Sequence, residues 1–239
     1  MRDQYAGDVS DFLKFAFLRA LADRDRKLGV AWNCVPEHDG RPDGRPLEWR
    51  HAPAWQRLDP AVHAGLIGLR ERSVDALERA DFWPEGALFH REPMPRQLQR
   101  TEWAARKRAV LSGADIVFLD PDNGLGKETA KHATFSELRL LRRPGRAIVF
   151  ITFPGKSLPH DALLQQLHDR LISEAGAETV ITLRTNVSVP RAEDSPYFVQ
   201  RQRWLTVVEP DDTLIVRART FASALAAVPR VRARLDGAT

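Results

Sequence analysis

Two stretches of this chain leave it little conformational freedom. Ala114-Asp-Ile-Val-Phe-Leu-Asp120 and Ala147-Ile-Val-Phe-Ile-Thr-Phe153 are short and almost wholly apolar, and each runs into a proline. Runs of this kind are strands buried on both faces, as in parallel sheets covered by helices. Between and after them lie helical patterns. Thr134 to Arg143 reads as a helix stopped by Pro144-Gly145, and Pro159 to Ala175 as a helix ending at Gly176. Buried strands alternating with helices predict an α/β fold, with a mainly parallel sheet and helices on both faces.

The remaining segments fit that scheme. Residues 8 to 26 read as a helix, with Leu13, Phe17 and Leu21 at four-residue spacing and Asp8 or Ser10 as the cap. Lys27 to Val35 holds a buried strand. The loop 36–46 carries three prolines and two Asp-Gly pairs. Leu47 to His51 reads as a short strand, 59–81 as a helix in two pieces broken near Arg72 and Ser73, and Ala87 to His90 as a short strand. Arg96 to Ser112 is a basic amphipathic helix. Further strands are expected at Thr179 to Leu183, Tyr197 to Val199 and Arg203 to Val208, and a closing helix at Phe221 to Leu235. The whole span 1–239 is expected to be one domain, with 59–81 a candidate helical insertion.

Composition removes several classes. No run of about 18 apolar residues occurs, so no membrane-spanning helix is expected. The first eleven residues carry Asp3, Asp8 and Asp11 and no apolar stretch, so no secretory signal is expected. The single cysteine, Cys34, rules out a disulfide scaffold and suits a reducing cytoplasm. The net charge is +4, and 30 of the 36 basic residues are arginines. Genome bias and a phosphate-binding surface both account for that preference.

In open parallel sheets ligands bind beyond the carboxyl ends of the strands. Asp120-Pro121-Asp122-Asn123 sits there. A carboxylate ending a buried strand can accept hydrogen bonds from a polar ligand, or hold a hard cation together with Asp122. Asn123-Gly124 also reads as plain turn chemistry. Near the start, Tyr5, Asp8, Asp11 and Lys14 form a second group. The last three are spaced by three residues and share one helix face, which reads equally as a solvated surface with an N-cap. There is no Gly-x-Gly-x-x-Gly after the first strand, no P-loop, no nucleophile elbow and no His-x-x-x-His pair. No metal site is expected from the histidines.

Together the two groups carry a resemblance. Ala6-Gly-Asp-Val-Ser-Asp-Phe-Leu-Lys14-Phe resembles the Ala-Gly-Asn-x-Ala-Asp-x-x-Lys-His opening of a family of ribosomal-RNA adenine N6-methyltransferases. The strand ending in Asp120-Pro121 falls where amino-methyltransferases carry Asp-Pro-Pro-Tyr. Tyr-x-Gly-Asp-x-x-Asp-Phe-x-Lys and Phe-Leu-Asp-Pro-Asp-Asn-Gly-Leu more closely resemble a family of uncharacterised bacterial and phage proteins with no established activity. The resemblance implies a class I, Rossmann-like three-layer sandwich with a late antiparallel strand. It implies S-adenosylmethionine as cofactor, with Tyr5, Asp8, Asp11 and Lys14 on the cofactor side. Asp120, Pro121, Asp122 and Asn123 would lie on the catalytic side, with Asp120 orienting the acceptor. It implies RNA or DNA as acceptor, for which the basic helix from Arg96 to Arg108 is the candidate phosphate contact.

The chain departs from that pattern. Asp122 replaces the second proline and Asn123 the aromatic ring, which leaves Phe153 as the candidate stacking surface. Phe15 replaces the histidine. The loop 36–46 stands where the family has a glycine-rich turn. Two alternatives therefore stay open: a metal-dependent nuclease or phosphohydrolase using Asp120 and Asp122, and a non-catalytic binding subunit on the same fold.

Overall fold

The computed structural model of the protein describes residues 1–35, 48–95, 99–155, 157–190 and 197–237. A buried helix, α1 (Val9–Ala22), leads into β1 (Leu28–Trp32). Three short helices follow, α2 (Pro53–Leu58), α3 (Pro60–Ile67) and α4 (Val74–Glu78), and then β2 (Leu88–His90) and α5 (Arg100–Val110). The second half runs β3 (Ile116–Asp120), α6 (Phe135–Leu141), β4 (Ala147–Thr152), α7 (His160–Ala175), β5 (Val180–Pro190), β6 (Phe198–Val208), α8 (Asp212–Ala226) and β7 (Val231–Gly237).

The seven strands form one sheet in the order β2-β1-β3-β4-β6-β5-β7. The first four pair in parallel, β6 enters antiparallel between β4 and β5, and β7 adds an antiparallel edge. Alternate strand residues feed two apolar layers. Val30, Trp32, Phe118 and Val149 face α1 and α8. Ala31, Val117, Leu119 and Phe150 face α6 and α7. This is the expected three-layer α/β sandwich, with its mainly parallel sheet and its late antiparallel strand.

Several elements differ from the sequence expectation. The first helix stops at Ala22, where Asp23 takes a positive φ of 47°. Glu48 to His51 is a 3₁₀ turn rather than a strand. The two strand candidates at 197–208 are one continuous β6, and β5 runs on to Pro190. Residues 231–235 are strand, not helix. Pro229 and a left-handed Arg230 (φ 63°) end the helical segment, and Val231, Ala233 and Leu235 then alternate with period two into the core. The loop 36–46, Arg96 and Lys156 lie outside the described residues.

The helix α1 is apolar nearly all round. Phe12, Leu13, Phe15, Phe17 and Leu21 are fully buried. Phe12 packs on Trp49 and Trp55, and Phe15 packs on Trp32, Phe82 and Trp83. Residues 48–83 thus cover the side of α1 away from α8. Because every face of α1 is covered, its polar residues are buried too.

Some arginines are internal structural parts. The guanidinium of Arg146 donates to the carbonyls of Ala114, Leu141, Leu111 and Ser112 at 2.7–3.0 Å. It closes the end of α5 and the end of α6 onto the start of β3. An aliphatic side chain would remove all four bonds, and among the described residues only the Leu111 and Ala114 carbonyls would keep a second donor, the Ala114 amide and the Arg143 guanidinium. Arg146→Met should therefore cost about 3 kcal/mol in urea unfolding, at the upper end for hydrogen bonds to a charged group.

Candidate functional site

The strand order reverses between β1 and β3: the chain moves outward from β1 to β2 on one side, and through β3 to β4 on the other. Such a switch point opens a crevice beyond the strand ends, where open α/β sheets bind ligands. Trp32 lies opposite Asp120 in the register, so Asn33 and the Asp120–Asn123 turn flank that crevice. The turn is held close to the end of β4. Gly124 has φ 87°, and a Cβ there would stand 3.1 Å from the Thr152 Cα.

The amino end of α1 meets the same rim. Asp8 caps the helix, its Oδ1 accepting from the Ser10 and Asp11 amides at 2.7 and 3.1 Å. Gly7, at φ 79°, turns its amide onto Asp11 Oδ2 at 2.7 Å. One turn further, the Lys14 ammonium reaches Asp11 at 2.6 Å and both oxygens of Asp120 at 3.0 and 2.8 Å. All three side chains are buried. Asp8, Asp11 and Lys14 are therefore not a solvated face.

Two carboxylates and one ammonium leave this buried cluster one negative charge in excess. Burial, with Asp8 and Asp120 nearby, raises the Asp11 carboxyl to about 7 despite the Lys14 ammonium. Burial works against the Lys14 charge, but Asp11 and Asp120 outweigh it and hold the lysine above its ordinary value.

The Asp120 carbonyl, the Asn33 carbonyl and Asp122 Oδ1 converge on one nitrogen, the amino group of Met1, at 3.1, 2.7 and 3.0 Å. Arg2 also pairs with Asp122 at 3.1 Å. Asn33 is 1% exposed, and among the described residues neither its side-chain oxygen nor its nitrogen has a hydrogen-bond partner. A buried amide left unpaired at a strand end is costly unless a water or a ligand satisfies it. Next to it, Cys34 and Val35 line a cavity of about 470 Å³ over the ends of β1 and β2, with Asp3, Ser73, Asp75 and Arg91. Burial pushes the Cys34 thiol up to about 12, so it remains protonated.

The structure brings Asp8, Asp11, Lys14, Asp120, Pro121 and Asp122 to one rim. Tyr5 is half-buried in the 3₁₀ turn before α1, its carbonyl accepting from the Asp8 amide at 3.3 Å. Asn123 is exposed, its amide donating to the Lys131 carbonyl. One face of the Phe153 ring carries the Arg203 guanidinium at 4.6 Å, and Arg203 also donates to Ser10 Oγ at 2.7 Å. Sequence reasoning missed Asn33, Asp75 and Arg91. Asn33 carried the same signal as Asp120, a polar residue ending an apolar strand. Arg91 follows the last residue of β2, and Asp75 meets it from α4 at 2.5 Å.

The basic helix is also resolved. Arg100 donates to Glu137 at 2.5 Å and to the Thr129 and His132 carbonyls. Lys107 sits 3.2 Å from Glu137 and 4.1 Å from the Trp103 ring centroid. Burial lowers Lys107 to about 8. Both point inward, Arg106 pairs with Glu92, and Arg108 is exposed.

No protein-family model matches the sequence, and no curated relative does either. Among solved structures, a Legionella pneumophila protein described under the family model DUF519 is 10% identical, with a TM-score of 0.45 over 98% of both chains. A precorrin-6y C5,15-methyltransferase from Geobacter metallireducens is 13% identical, with a TM-score of 0.35 over 82% of this chain and 86% of its own.

Asp11 binds its proton more tightly folded than unfolded, so its contribution is full below about pH 3.8 and is lost as pH rises through about 7. The unaltered chain should therefore lose thermal stability between about pH 4 and about pH 7 and level off above that, and Asp11→Asn should remove the fall. Lys14→Met strands two carboxylates and should cost about 3–5 kcal/mol in urea unfolding.

Proposed function

We propose that the protein is an S-adenosylmethionine-dependent methyltransferase acting on an amine of a nucleic acid. The observation that carries this reading is the convergence of the Asn33 carbonyl, the Asp120 carbonyl and Asp122 Oδ1 on a single nitrogen at the switch point. Three acceptors so placed orient a nitrogen that bears N–H bonds. The motif resemblance supplies the cofactor and the class of acceptor.

The neighbouring cavity suits a nucleoside cofactor. Its volume of about 470 Å³ lies within the usual range for small-molecule sites. Its lining is polar: Asp3 accepts from the Val74 amide, Ser73 donates to Glu71 and Asp75 pairs with Arg91 at 2.5 Å, and the hydroxyl groups of a cofactor would share these partners. When bound, S-adenosylmethionine would supply an activated methyl group on a sulfonium. The chain itself would hold and align the acceptor, which is most of what a methyl transfer requires. Lys14 fixes the Asp120 carboxylate, and with it the backbone carbonyl that faces the nitrogen. Asp122 Oδ1, 3.0 Å from that nitrogen, is placed to take its proton. Met1 and Arg2 would move aside to admit the acceptor.

One observation favours the non-catalytic alternative. Lys14 takes both oxygens of Asp120, so that carboxylate is not open to an acceptor in this arrangement. No observation favours the nuclease, since Asp120 and Asp122 face protein cations rather than each other.

Thermal unfolding decides cofactor binding. At a hundredfold excess over its dissociation constant, S-adenosylmethionine should stabilise the chain by about 2.7 kcal/mol, and Asp75→Ala should reduce the shift. An unchanged Tm at millimolar cofactor sinks the reading. Asp122→Ala should keep the shift yet slow methyl incorporation into RNA or DNA about 100-fold. A cofactor shift with no incorporation by the unaltered protein would select the binding subunit.

A further inference from the structure

Past Thr152, the last residue of β4, the strands β5 and β6 continue as a hairpin beyond the rim, with β7 along one side. One face of this three-stranded extension belongs to the core, through Val187, Val189 and Val231. The register places Asn186, Ser188, Gln200 and Gln202 on the opposite face, beside Arg232 and Arg234. Phe198, Gln200, Arg232 and Arg234 are exposed there.

The chemistry of this face is mixed in a particular way. The Phe198 ring is backed by the Arg230 guanidinium, 4.0 Å from its centroid, and the adjoining Tyr197 is 71% exposed. Arg184 is neutralised by Asp161 and Asp236, and Arg234 by Asp236. Among the described residues, Arg230 and Arg232 have no carboxylate partner. Between the arginines lies a cavity of about 230 Å³, lined by His160, Trp204, Asn186 and Gln202. The Asn186 Oδ1 is shielded from water and has no hydrogen-bond partner among the described residues.

We infer that this open face is a platform for a single-stranded nucleic acid. Rings stack unpaired bases, amides read base edges and unpaired arginines hold phosphates. An acidic polypeptide would use the arginines but not the ring and amides. A duplex would have no unstacked base to offer Phe198. The inference deepens the proposed function, since a strand held here would carry the acceptor amine towards the rim. Binding itself requires no cofactor, so the two can fail separately.

Fluorescence anisotropy on the full chain tests it, with labelled single-stranded RNA and DNA of about 20 nucleotides, the corresponding duplex, and polyglutamate. At least one single strand should bind about tenfold more tightly than the duplex or polyglutamate. Phe198→Ala should weaken it about tenfold, in the range measured for loss of one base stack. Arg232→Ala should lower the log–log salt slope by about 0.7. Both variants should keep the Tm and the S-adenosylmethionine shift of the unaltered protein. Absence of single-strand binding would overturn the proposal, as would equal binding of duplex or polyglutamate. So would a loss of binding in Arg108→Ala with none in Phe198→Ala, which would move the contact to α5.

Discussion

The Lys14 ammonium joins parts of the chain that are 106 residues apart. It stands on a helix buried on every side, at the point where that helix crosses the end of β3. An unpaired ammonium could not remain charged there, because its desolvation would outweigh any packing gain. Asp120 ends its strand within reach, and Asp11 stands one helical turn back. The rest of the rim follows from that contact. With Asp120 held, its carbonyl faces the crevice together with that of Asn33, and Asp8 is left to cap the helix. A buried pair of this kind adds little net stability over an apolar substitute, but it penalises any arrangement that separates its members. It therefore specifies how α1 docks on the sheet more than how firmly.

The many arginines divide by environment. Arg146 and Arg100 work as internal donors, each serving several backbone carbonyls at once. Others pair with neighbouring acids at the surface, where such contacts are weak. A smaller set, including Arg203 at the rim and Arg230 beside Phe198, stacks on aromatic rings. The planar guanidinium allows all three uses, and net charge distinguishes none of them.

The central fold was legible because β1, β3 and β4 are continuous apolar runs and the helices between them have clear stops. Asp120 was legible as a polar residue that ends such a run. Asn33 carried the same signal and passed unnoticed, since it is followed by Cys34 and Val35 and the apolar pattern does not visibly break. The misread elements share another cause. Residues 231–235 are flanked by arginines, so their period-two alternation is short and weak against the strong helical pattern before them. The basic stripe of α5 looked like a surface because a sequence pattern does not show that Glu137 faces Arg100 and Lys107 from another helix.

By itself the sequence determined the layer architecture, the strands that form its centre and the two residue groups near its rim. Local periodicity, caps and breaks encode those features, and they act within a few residues. Tertiary structure alone decided that Asp11, Lys14 and Asp120 form one buried cluster and that the Asp120 and Asn33 carbonyls converge on one nitrogen. It also decided that the extended β5–β6 hairpin leaves an open polar face. These depend on strand order and helix docking, which bring distant segments within hydrogen-bond reach. The charge state of Asp11 belongs with them, because it is set by burial and by neighbours that only the folded chain assembles.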